Sequence, residues 1–120
     1  MKIAFSTSGA DLSAPLDTRF GRAPKFLVYD TDAATFALVD NAQNLNAAQG
    51  AGIQSAQRVA GTGAQALVSG HCGPKAFAVL QAAGIKVYTS NAPTIAEALK
   101  AHQDGQLAEI KSADVEGHWL

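Results

Sequence analysis

Residues 66–75 read Ala-Leu-Val-Ser-Gly-His-Cys-Gly-Pro-Lys, and this stretch decides the class of fold. Its first four residues, three of them apolar, form a short stretch that is typical of a buried strand. Pro74 suits the first turn of a helix, and Gly84 suits the position just after its last turn. A strand that leads directly into a helix favours a right-handed crossover to a parallel strand. The stretch therefore predicts an α/β fold.

The alternation of strands and helices continues on both sides of this stretch. Further strands are predicted at residues 3–7, 25–30, 35–40 and 85–89, and the turn at 31–34 makes a hairpin of the second and third. Further helices are predicted from about Gln49 to Ala60, and from Thr94 or Pro93 to Gly105, where Thr94 and Glu97 have capping-box spacing. We expect a five-stranded mixed sheet with the hairpin at one edge and about three helices on its two faces.

Composition excludes several classes of function. The chain has 120 residues, of which 48% are apolar and 16% are charged, as in a globular domain. Its net charge of −1 gives no overall positive field for nucleic acid or an acidic membrane. The sequence lacks a run of ~20 apolar residues and a signal-peptide pattern, so we expect a cytoplasmic protein. Residues 1–105 are expected to form one domain, and residues 106–120 a polar tail.

Ligands of α/β sheets usually bind beyond the carboxyl ends of parallel strands, where three loops begin at Ser8, Gly70 and Ser90. The first loop carries the candidate anion-binding residues Arg19, Phe20, Gly21 and Arg22. Arginine offers a planar fork of charged donors, and Gly21 allows a close backbone approach. Two plainer interpretations stay open: Asp17 pairs with Arg19, and Phe20 only anchors the loop to the core.

The second loop joins a strand to a helix N-terminus, where free N–H groups and the helix dipole favour anions. Its candidate binding residues are Gly70, His71, Cys72, Gly73 and Lys75. Cys72 and His71 are also candidate metal ligands, although a buried structural cysteine and a histidine that bonds only to backbone groups are the more common arrangement. The third loop adds Ser90 and Asn91, which can donate hydrogen bonds or simply form a turn.

Cys72 is the only cysteine, so the chain has no internal disulfide and no multi-cysteine cage for zinc or iron–sulfur clusters. His102 and His118 do not stand at ligand spacing with His71. Any metal-containing group must therefore be held mainly by other donors.

Five stretches in order resemble the nitrogenase iron–molybdenum cofactor-biosynthesis family: MKIAFST (1–7), RFGRAPKF (19–26), QGAG (49–52), SGHCGPKA (69–76) and LQAAGIKVY (80–88). The resemblance covers roughly residues 1 to 105. It implies a ribonuclease-H-like three-layer fold and a bound molybdenum–copper–sulfide cluster, or alternatively the iron–molybdenum cofactor or a precursor. Many members of the family have a histidine where Gln49 stands in this chain, and Cys72 is not general among them.

The resemblance and the loops together predict a non-catalytic carrier that holds an anionic metal–sulfur cluster or thiomolybdate by arginine and backbone N–H donors. Cluster-delivery or ATPase proteins are the expected protein partners. Alternatives are a thiol enzyme that uses Cys72 and His71, and a small-anion-binding regulatory module. A nuclease is disfavoured, because the first strand carries no carboxylate for metal ions.

Overall fold

One mixed sheet organises the computed structural model, which describes residues 1–41 and 51–110. Within those residues it has six strands: β1 (Lys2–Thr7), β2 (Lys25–Asp30), β3 (Thr35–Asp40), β4 (Ala66–Ser69), β5 (Lys86–Thr89) and β6 (Glu109–Ile110). Their order across the sheet is β3-β2-β1-β4-β5-β6. β1, β4 and β5 run parallel, whereas β2, β3 and β6 are antiparallel to their neighbours. The predicted edge hairpin is confirmed.

Helices cover both faces of the sheet. The described residues form α1 (Ala51–Ala60), α2 (Pro74–Ala82) and α3 (Ile95–Gln103), with a short 3₁₀ helix at Phe20–Arg22. Ala56 and Val59 of α1 share one core with α2, and α3 packs in a second core. β1 serves both cores, because its alternate side chains point to opposite faces. The predicted mixed α/β fold with about three helices is confirmed.

The predicted number of strands is wrong by one. β6 lies in the segment 106–120 that was expected to be a polar tail, and it pairs with β5 only at Val87↔Ile110 and Tyr88↔Glu109. Two residues are too few for an alternating pattern to predict a strand. The predicted helix start at Gln49, and the tail residues His118 and Trp119, lie outside the described residues.

The residues predicted to begin and end helices do so in the structure. The hydroxyl of Thr94 accepts a hydrogen bond from the N–H of Glu97 at 3.3 Å, which fixes the start of α3. Gly84 and Gly105 have φ angles of +77° and +72°, the left-handed conformation that ends helices. Among the described residues, none of the helices has the length and apolar character that a membrane crossing requires.

His102, in the last turn of α3, is a polar group held in an apolar setting. Its ring meets that of Tyr88 edge-on at 4.8 Å between centroids. Its Nδ1 atom is buried and has no hydrogen-bond partner within the described part of the chain. Burial lowers the pKa of His102 below its ordinary value of 6.5, since the imidazolium would lose its hydration there.

This burial predicts a loss of stability in acid. The unfolded chain takes up the His102 proton at a higher pH than the folded chain, so stability is full above about pH 6.5 and falls as the pH drops through the folded pKa. Urea unfolding across this pH range measures the effect. His102→Leu should remove this part of the slope, whereas the matched control His71→Leu, at an exposed position, should keep it. An identical slope in His102→Leu would contradict the assignment.

Candidate functional site

A cavity of about 390 Å³ opens beyond the carboxyl ends of β4 and β5. The described residues that line it are Thr18, Gly70, His71, Thr89, Ser90, Asn91 and Leu107. They come from all three loops at this edge and from the segment before β6. The cavity lies beside the point where strand order reverses, between β1 and β4, which is where open α/β sheets usually bind ligands.

A close backbone crossing joins the first two loops. The N–H of His71 donates to the carbonyl of Thr18 at 2.9 Å, and Arg19 pairs with His71 as an isolated parallel bridge. A Cβ atom on Gly70 would lie 2.5 Å from the Cα of Thr18. Glycine is therefore required at position 70, because any side chain there would push the first loop away from the cavity.

Buried serine hydroxyls near the ends of β1 and β4 also fix the first loop. The Oγ atoms of Ser6 and Ser69 lie 2.7 Å apart, and both side chains are buried. The Ser6 hydroxyl donates to the carbonyl of Asp17 at 2.5 Å, and the Asp17 N–H donates to the carbonyl of Ser6 at 2.8 Å. These bonds fix the backbone just before Thr18, because breaking a buried hydrogen bond costs about 1–3 kcal/mol.

The second half of the first loop is anchored to the core that contains residues of α1 and α2. Phe20 is buried there, and its ring lies 5.4 Å from that of Phe26. The buried amide of Asn41 donates to the carbonyl of Ala23 at 2.8 Å and to the Ser55 hydroxyl at 3.0 Å. Phe20 therefore occupies the anchoring position that the sequence left open, and it does not line the cavity.

Arg19 forms an ion pair with Asp17 through two parallel contacts. Its Nε and Nη2 atoms donate to the two Asp17 carboxylate oxygens, each at 3.2 Å. The Asp17 side chain is only 9% exposed, whereas that of Arg19 is 69% exposed. Hydrogen bonding to Asp17 raises the pKa of Arg19, so its charge is permanent. Two of the five guanidinium N–H groups donate to Asp17 in this arrangement, and the other three do not take part in it.

The remaining charged candidates, Arg22 and Lys75, are not among the described residues that line the cavity. Arg22 ends the 3₁₀ helix and is exposed. Lys75, in the first turn of α2, is also exposed. Gly73 is the N-cap of α2, and a Cβ atom there would meet nothing within 4 Å.

His71 and Cys72 point to opposite environments. Cys72 is 1% exposed and packs in the core shared with α1 and α2, whereas His71 is exposed and lines the cavity. A buried thiol cannot reach a substrate at the surface, so this geometry disfavours a thiol enzyme. Within residues 1–41 and 51–110, no three His, Cys, Asp or Glu side chains converge as a metal site.

The third loop supplies polar groups next to the first two. Its backbone is fixed by the Ser90 N–H, which donates to the Ser69 carbonyl at 2.9 Å. The Ser90 Oγ accepts from the Ala92 N–H at 3.0 Å, and a hydroxyl in that position still has its own proton to donate. Asn91 is exposed at the cavity. The described lining residues carry hydroxyl, amide and imidazole groups and no carboxylate, a donor set suited to an anion.

Sequence reasoning missed three of the lining residues, Thr18, Thr89 and Leu107. Thr18 and Thr89 adjoin residues that were named, and their small polar side chains gave no separate signal. Leu107 is half-buried against the core that contains α3. A lone leucine between Gln106 and Ala108 does not by itself predict a cavity wall.

The fold and the cavity define a class: a small mixed α/β protein with a polar-lined cavity at the carboxyl ends of its parallel strands. The model of the family named "dinitrogenase iron-molybdenum cofactor" matches residues 1–105. The chain belongs to that family.

Known proteins resemble the chain over nearly its whole length. An uncharacterised protein of Methanocaldococcus jannaschii is 31% identical over 113 residues, which is 92% of each chain. The apo form of the orange protein from Desulfovibrio gigas has 39% identity and a TM-score of 0.91, and the match covers 95% of this chain and 96% of that one. A Thermotoga protein described as NifB-like, solved by NMR, has 34% identity and a TM-score of 0.83, with 97% and 98% covered.

The crossing at Gly70 predicts unequal effects of two alanine substitutions. Gly70→Ala should lower the free energy of unfolding by about 1–3 kcal/mol, because the new methyl group overlaps the Thr18 backbone. Gly73→Ala is the matched control, since it has open space and an ordinary φ of −68°, and it should cost only the about 0.5–1 kcal/mol expected for alanine at an N-cap. Urea denaturation measures both. Equal losses in the two variants would show that the crossing is not a tight constraint.

Proposed function

We propose that the protein is a non-catalytic carrier of an anionic metal–sulfur cluster, which it binds in the cavity at the ends of β4 and β5. The observation that carries the proposal is the cavity's lining of neutral hydrogen-bond donors without a carboxylate among its described residues. Membership in the dinitrogenase iron-molybdenum cofactor family supports a cluster as the cargo. A molybdenum–copper–sulfide cluster is the species we propose first, with the iron–molybdenum cofactor or a precursor as the alternative.

The donor set fits a cluster that brings its own sulfide ligands. Such an anion needs donors around its outer surface, and it needs few protein atoms bonded to metal. His71, Ser90 and Asn91 would donate to the sulfides, and Leu107 would provide an apolar flank. Arg19 would add charge from the rim, where Asp17 holds its guanidinium. A cavity of about 390 Å³ falls within the roughly 300–1,000 Å³ of small-ligand sites.

A small-oxyanion module is the second candidate, and the hydroxyl-rich lining favours it. Thr18, Thr89 and Ser90 are donors that suit phosphate or molybdate as well as sulfide. Competition separates the two proposals. If phosphate displaces tetrathiomolybdate at comparable concentration, the oxyanion module is preferred. If only thioanions bind, the cluster carrier stands.

Removal of the two arginines of the first loop tests the charge contribution. Arg19→Gln combined with Arg22→Gln should weaken binding of a cluster assembled from tetrathiomolybdate and copper by about tenfold, because the variant loses both cationic hydrogen-bond donors of the first loop. The visible absorption of the protein-bound chromophore during titration gives the affinity. Circular dichroism verifies that each variant is folded.

The matched control removes two positive charges from the amino ends of the parallel strands, the ends opposite the cavity. Lys2 and Lys86 begin β1 and β5, far along the strands from the cavity, and both are exposed. The double variant Lys2→Gln with Lys86→Gln should keep the affinity within about twofold, since screening weakens distant charges. Equal losses in the two double variants would reduce the effect to net charge and remove the specific role of the arginine loop.

Leu107 tests whether the cavity itself receives the anion. Leu107→Asp places a carboxylate in the cavity wall and should weaken tetrathiomolybdate–copper binding by about tenfold more than Leu107→Asn, which has the same shape without the charge. The difference should shrink in high salt. Equal affinities of the two variants would mean that the anion binds elsewhere. Thermal unfolding of both variants controls for displacement of β6.

A further inference from the structure

β3 leaves one edge of the sheet open. Its inner side pairs with β2, and no strand of the described residues lies on its outer side. Phe36 and Leu38 are 41% and 42% exposed, which sets them apart from the large apolar side chains that pack in the two cores. They point to the same face, because they are two residues apart on a strand. The apolar surface and the unpaired backbone groups therefore coincide on one strand.

The two edges of the sheet are protected very differently. The described part of the opposite edge strand, β6, is two residues long and includes the charged Glu109, a feature that discourages further pairing. β3 has six residues, Thr-Phe-Ala-Leu-Val-Asp, without proline, lysine or glycine, and it pairs with β2 in unbroken register. Unprotected strands of this kind are templates for a further strand.

We propose that β3 pairs antiparallel with β3 of a second copy of this chain, about a two-fold axis at Ala37. A two-fold axis perpendicular to the sheet keeps the same faces together, so odd-numbered residues meet odd-numbered residues. With Ala37 opposite the partner's Ala37, Phe36 lies opposite the partner's Leu38, and the partner's Phe36 opposite Leu38. The exposed apolar side chains thus bury one another, whereas Thr35 meets the partner's Val39 on the other face.

The charges fit a second copy of the chain. Asp40 is the only charged residue of β3, and in this register it lies opposite the partner's Ala34, outside the paired apolar residues. Within its own chain, Asp40 is in register with Lys25. The net charge of −1 gives little repulsion between copies. The cavity lies on the other side of β1, so the dimer leaves it open, and failure of either proposal does not affect the other.

Cysteine cross-linking tests the register. Ala37→Cys should form a disulfide-linked dimer under mild oxidation, because Cα atoms opposed across an antiparallel pair are ~4.5–5.5 Å apart, within the range for a disulfide. Thr35→Cys is the matched control on the same exposed strand, and its two copies would be about 13 Å apart along the strands. The native Cys72 is 1% exposed and common to both variants. Equal cross-linking of the two variants would overturn the register.

Sedimentation equilibrium of the unmodified chain tests the dimer itself. We expect a concentration-dependent dimer that Leu38→Lys weakens by at least tenfold and that Gln81→Lys, on the exposed side of α2, does not weaken. A monomer at every concentration would overturn the proposal, as would a dimer that Leu38→Lys leaves intact. The proposal would also fail if β3 paired with a different protein while the chain itself stayed monomeric.

Discussion

The site depends on one steric constraint, the passage of the Thr18 backbone across Gly70 at a distance that admits no side chain. This crossing brings the first loop over the end of β4, where His71 donates its N–H to the Thr18 carbonyl. Ser6, whose hydroxyl also contacts that of Ser69, bonds to both the N–H and the carbonyl of Asp17, so these two backbone groups of the loop are satisfied within the protein. A long loop is thereby ordered by a few contacts, and the cavity gains one wall from it.

Much of the fold could be predicted because its signals are local. Strand bounds at β2, β3 and β4, the N-cap at Thr94 and the left-handed glycine after α2 all follow from short-range patterns. β6 could not be predicted, since its two residues pair only because α3 and the chain after Gly105 carry them back to β5. Its position is a consequence of tertiary packing, in which Leu107 joins the core beside Tyr88.

The sequence predicted the location of the candidate site better than it predicted which side chains face the cavity. Topology alone put the three loops at one edge, and Gly70, His71, Ser90 and Asn91 do line one cavity there. Sequence could not decide which way each side chain points. The charge of Arg19 is matched by Asp17 in a fork that depends on the loop's conformation, and Cys72 turns into the core while its neighbour turns outward. Such choices are made by packing, and adjacent residue types do not reveal them.

The Arg19–Asp17 pair would suit the proposed carrier, because a carrier must release its cargo. A free arginine in a dry cavity would hold an anion strongly and would be costly to desolvate. Here the Arg19 side chain is 69% exposed and its guanidinium is paired with a carboxylate that is nearly buried, so water screens part of its attraction for an arriving anion. In the proposed carrier, the neutral donors of the cavity would add roughly 0.5–1.5 kcal/mol each. In the proposed carrier, many weak donors and one compensated cation would combine selectivity for anions with release to a partner, which a cage of metal–ligand bonds would oppose.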